Sequence, residues 1–113
     1  MNIQIIIDKQ SELRMNEAAD KLREHLRNNK IKAYDKDIIV IFSNDCNFVK
    51  DTRAKLPKTS IVVNVTENLS EQHVINVVSC VADICYLKTD VNMIATRIIN
   101  AYNKTKLKSR RGI

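Results

Sequence analysis

Residues 37–45 read DIIVIFSND. Ile38, Ile39, Val40, Ile41 and Phe42 follow one another without a polar residue between them. Such a short, β-branched run predicts a strand buried on both faces, as in the middle of a parallel sheet. It ends in the small polar and acidic residues Ser43, Asn44 and Asp45. In open α/β sheets, ligands meet the carboxyl ends of the strands. Asp45 is therefore either a reactive carboxylate or the polar end of a strand.

Similar segments lie on either side. NIQIIID (2–8) predicts another central strand, IKAYD (31–35) a short strand nearer an edge, SIVVNVT (60–66) a strand and ICYLK (84–88) the last one. Between them run helical patterns. Ser11 caps a helix whose Leu13, Met15, Ala18, Ala19, Leu22 and Leu26 share a face, and RNNK (27–30) ends it. CNFVKDTRAKL (46–56) predicts a short helix stopped before Pro57. Ser70 caps a helix to about Val81, with Val74, Ile75, Val77, Val78 and Val81 inward. Asp90 caps the last helix, with Val91, Ile94, Ala95, Ile98, Ile99 and Tyr102 forming its stripe. The alternation predicts an α/β flavodoxin-like three-layer sandwich: a mostly parallel five-stranded sheet, helices on both faces, and no helix between the second and third strands.

A chain of 113 residues makes one domain. The expected division is a domain over 1–103 and a basic tail or linker over 104–113. The net charge of +6 is concentrated there: Lys104, Lys106, Lys108, Arg110 and Arg111 face no acid, and the first 103 residues are nearly neutral. A tail of this kind can touch nucleic acid or an anionic surface. No apolar run is long enough to span a bilayer. MNIQIII lacks the basic start and cleavage pattern of a signal peptide, so a cytoplasmic location is expected.

Several chemistries lose support. The one Gly, Gly112, cannot build a glycine-rich phosphate loop. Two Phe, three Tyr and no Trp supply few stacking platforms for single-stranded nucleic acid. The three Cys match no zinc spacing. Cys80 and Cys85 read as small buried hydrophobes. Cys46 stands at a helix start, where a thiolate is stabilised, but a nucleophile needs a base. His25 and His73 both fall in segments that read as solvated helices. No catalytic residue, metal or cofactor is expected.

VADICYLKTD (81–90) resembles the GADDYLxKP segment of response-regulator receiver domains, and VNMIATRIINAYNK has the length and spacing of their last helix. An acid after the first strand (Asp8), an Asp near the end of the third (Asp45), a Thr after the fourth (Thr66) and a Lys after the fifth (Lys88) extend the resemblance. The chain departs from the family where phosphotransfer is done. Lys9 stands where a second Mg²⁺-holding carboxylate is needed. Counting from Asp37, the acceptor position falls on Phe42, and Val81 replaces a Gly.

The resemblance therefore implies a pseudo-receiver of the kind found ahead of ParA/MinD-type pilus-localisation ATPases. Such a domain is a non-catalytic, regulatory protein-interaction module that has lost its phosphotransfer site. Asp45 then reads as a capping carboxylate, and Lys88 as a partner for Asp8. The strand-end surface would comprise Asp8, Lys9, Ser43, Asp45, Thr66 and Lys88. The resemblance also implies a face for a partner or a second copy, made of His73, Asn76, Tyr86, Asn92, Thr96, Arg97 and Asn100. Two alternatives remain open at this point. One is a nucleic-acid-associated protein binding through the basic tail, and the other is a phosphorylatable receiver with Asp45 as a shifted acceptor.

Overall fold

The computed structural model describes the backbone of residues 3–28 and 37–111, and their side chains except at 11–14, 27, 28 and 105–111. The elements follow in the order β1 (Ile3–Ile7), a 3-10 turn (Lys9–Ser11), α1 (Glu12–Asn28), β2 (Ile38–Phe42), α2 (Cys46–Lys55), β3 (Ile61–Thr66), α3 (Glu71–Val77), β4 (Asp83–Tyr86) and α4 (Val91–Arg111). Among the described residues the sheet has four strands, all parallel, in the order β1-β2-β3-β4.

The reading of DIIVIF holds: every residue of β2 is buried, and so is every residue of β3. Their alternating side chains feed two cores. Ile38, Val40, Phe42, Ile61, Val63, Val65 and Cys85 point to one face, where α1 supplies Met15, Ala19, Leu22 and Leu26, and α4 supplies Ile94, Ala95, Ile98, Ala101 and Tyr102. Ile39, Ile41, Val62 and Ile84 point to the other, against Val49 of α2 and Val77 of α3. Helices thus cover both faces, a layout compatible with the flavodoxin-like one.

The expectation of five strands is not met among the described residues, whose sheet has four. β1, expected to be central, is the outer strand of the described sheet, and Gln4 is exposed. The strand expected at 31–35 lies outside the described residues.

A separate correction concerns α3, which ends at Val77 rather than near Val81. Five apolar residues cannot share one face of two helical turns. His73 and Val77, one turn apart, take the inward positions. Ile75 is 61% exposed and Val78 57% exposed. Cys85 is buried as expected, whereas Cys80 is only partly so. At the end of the chain, the backbone of α4 continues as helix to Arg111, through the stretch expected as tail or linker. No helix among the described residues is long and apolar enough to cross a membrane.

Phe42 is 1% exposed and packs in the α1–α4 core. Phe42→Ala is expected to cost about 3–5 kcal/mol. Phe42→Asp, which puts an acid where the receiver resemblance would place the acceptor, is expected to unfold the domain, because an unpaired carboxylate would sit in that core. Thermal melts followed by circular dichroism check both; a native-like melt of Phe42→Asp would mean that this position opens to solvent.

Candidate functional site

The carboxyl ends of β1, β2 and β3 carry a connected set of buried polar side chains. Asp8, which follows β1, is 5% exposed. Its Oδ2 accepts from the Ser43 hydroxyl at 2.8 Å, and its Oδ1 accepts from the Gln10 N–H at 3.1 Å. Ser43 Oγ in turn accepts from the Asp45 N–H at 3.0 Å. Lys9 and Lys88 are both exposed. The expected pairing of Lys88 with Asp8 is not among the ion pairs of the described residues; a hydroxyl and a backbone amide hold Asp8 instead.

Asp45 answers the ambiguity of DIIVIFSND. It is the N-cap of α2, and its Oδ1 accepts from the N–H groups of Asn47 at 2.9 Å and Phe48 at 3.4 Å. Such a cap is worth about 1 kcal/mol. Ser70 and Asp90 act in the same way on α3 and α4, accepting from the N–H of His73 and of Asn92. Thr66 is fully buried: its hydroxyl donates to Asn44 Oδ1 at 2.9 Å and accepts from the Asn68 N–H. Asn44 Oδ1 also accepts from the Glu67 N–H at 2.7 Å.

A second network lies beneath, on the α2–α3 face. Asn64, in the middle of β3, is fully buried. Its Nδ2 donates to the carbonyls of Ile41 at 2.9 Å and Ser43 at 3.3 Å. That fixes the amide orientation and leaves Oδ1 as an acceptor. His73 Nε2 lies 2.7 Å from Asn64 Oδ1, so the proton of the neutral ring sits on Nε2. Nδ1 is then an acceptor, and Cys46 Sγ lies 3.3 Å from it. The thiol donates to the imidazole, which donates to the amide. No buried side-chain nitrogen or oxygen among the described residues lacks a partner.

His73 overturns two expectations. It is 2% exposed, so it belongs neither to a solvated helix face nor to a partner surface. Burial lowers its pKa from the ordinary 6.5, because the imidazolium would lose its hydration. It also places an imidazole nitrogen beside Cys46 Sγ, a contact that the sequence did not reveal. The visible signal was Asn64: an amide within a strand buried on both faces must find partners.

The remaining residues of the expected partner face lie around β4, the outer strand on the other side of the sheet. Asn92, Thr96 and Asn100 are exposed, and Tyr86 and Asn76 half-buried. Arg97 grips Asp83 with two bonds, Nε to Oδ2 at 2.8 Å and a terminal nitrogen to Oδ1 at 2.7 Å. This pairing raises the Arg97 pKa further. Of the basic residues, Lys104 is exposed; Lys106, Lys108, Arg110 and Arg111 lie on the backbone of α4.

The buried neutral His73 has a consequence for stability. Its folded pKa lies below the unfolded value, so the unfolded chain takes up the proton first as the pH falls. The contribution of this group is complete above about pH 6.5 and declines as the pH drops below it. Denaturant unfolding is expected to show stability falling from about pH 7 to about pH 5, with a smaller fall in His73→Gln. Equal slopes in the two proteins would remove His73 as a source.

No family model, no curated protein and no solved structure matches the chain.

Proposed function

We propose that the chain is a receiver-like regulatory module that binds a protein partner and performs no phosphotransfer. The carrying observation is Phe42, which fills the place of an acceptor and is buried in the core. The nearest acid, Asp45, spends its carboxylate on the start of α2. Asp8 accepts from Ser43 and Gln10, and a lysine follows it where a second metal-holding acid is needed. The sheet order and two-sided helix cover are compatible with this reading.

The partner, or a second copy, would sit on the surface around β4, at Asn76, Tyr86, Asn92, Thr96, Arg97 and Asn100. A cytoplasmic location goes with the same reading. Intact mass after incubation with acetyl phosphate and Mg²⁺ is expected to show no added phosphoryl group, with the fold verified by circular dichroism. A gain that disappears in Asp45→Asn would replace this reading with a working receiver that uses a shifted acceptor.

A second reading is binding of nucleic acid through the basic stretch. It is favoured by one observation: α4 runs unbroken to Arg111, so Lys104, Lys106, Lys108, Arg110 and Arg111 follow the last core residue, Tyr102, on one helix. Under this reading, affinity for duplex DNA falls with salt at a log–log slope of about −0.9 per phosphate neutralised. It is lost when residues 104–113 are deleted. Full affinity in the truncated protein would refute it.

A further inference from the structure

We propose that Cys46 is a peroxide-reactive thiol, with His73 as its general base and Asn64 as the residue that orients His73. Three side chains from three separate elements, α2, β3 and α3, form one hydrogen-bonded line. Nucleophile, base and orienting group in hydrogen-bonded sequence are the arrangement that activates a thiol. Each atom has a defined role. Asn64 Nδ2 is occupied by the backbone carbonyls of Ile41, Ser43 and Val65, so Oδ1 faces the imidazole and Nδ1 is left free to take the thiol proton.

Cys46 is the first residue of α2, directly after the capping Asp45. Its side chain is partly exposed and can be reached from solvent. The other thiols differ. Cys80 donates to the Val77 carbonyl. Cys85 is buried in the core, and burial together with Asp83 pushes its pKa up to about 11.

Cys46 is partly exposed at the start of α2, where a small co-reactant such as a hydroperoxide can reach its sulfur.

The step balances as follows. The thiol proton moves to His73 Nδ1. The sulfur electron pair attacks one peroxide oxygen, forming the S–O bond as the O–O bond breaks. The imidazolium returns its proton to the leaving hydroxide. Sulfur is oxidised by two electrons to sulfenic acid, and hydrogen peroxide is reduced by two to water.

The test uses the reduced full chain, hydrogen peroxide, and dimedone to trap sulfenic acid, with the adducts assigned by peptide mass. Cys46 is expected to be labelled at least about ten times faster than Cys80, and His73→Gln to slow Cys46 about tenfold or more. His73→Asn is a second substitution that removes the base and keeps an amide. Labelling of Cys46 no faster than Cys80 in the wild type would overturn the proposal even if both variants failed to fold. An unchanged rate in a folded variant would also overturn it.

Discussion

Two neighbouring strands with no exposed residue, β2 and β3, impose the architecture. Side chains alternate across a strand, so each of these strands presents apolar surface in both directions. Water can be excluded only if helices cover both sides. The larger core gathers under α1 and α4, and the smaller one under α2 and α3. The same burial makes the strand ends demanding. Every polar group there must be paired within the protein, and the chains from Asp8 to Ser43 to Asp45 and from Asn64 to His73 to Cys46 meet that requirement.

α1 shares its face of the sheet with α4. Met15, Ala19, Leu22 and Leu26 are almost fully enclosed there, with Ile38, Val40 and Phe42 beneath them. Full burial of one large side chain contributes about 1.5–3 kcal/mol, so this contact is a main support of the fold.

Much of this was legible in the sequence because it is local. The run Ile38–Phe42, the alternation of strands and helices, and the caps Asp45, Ser70 and Asp90 each depend on residues a few positions apart. The Cys46–His73–Asn64 line was not. Its members come from three elements, and only the fold brings them together. Apolar periodicity also misled. Val74, Ile75, Val77 and Val78 draw attention as the inward face of α3, whereas His73 takes an inward position beside Val77 because Asn64 requires a partner. A polar residue that breaks an apolar strand shows that a partner exists, and not where in the chain it lies.

The length of α4 sets a phase as well as a reach. At about 1.5 Å per residue, its 21 residues extend about 31 Å, and residues 103–111 lie past Tyr102 of the core. Each residue also turns the helix by about 100°. The azimuth of the basic stretch is thus fixed by register with the sheet. Inserting one residue just after Tyr102 would swing that stretch about a quarter turn, whereas inserting seven would carry it about 10 Å further and return it almost to its original bearing. In this chain, direction and distance at the end of α4 are geared together.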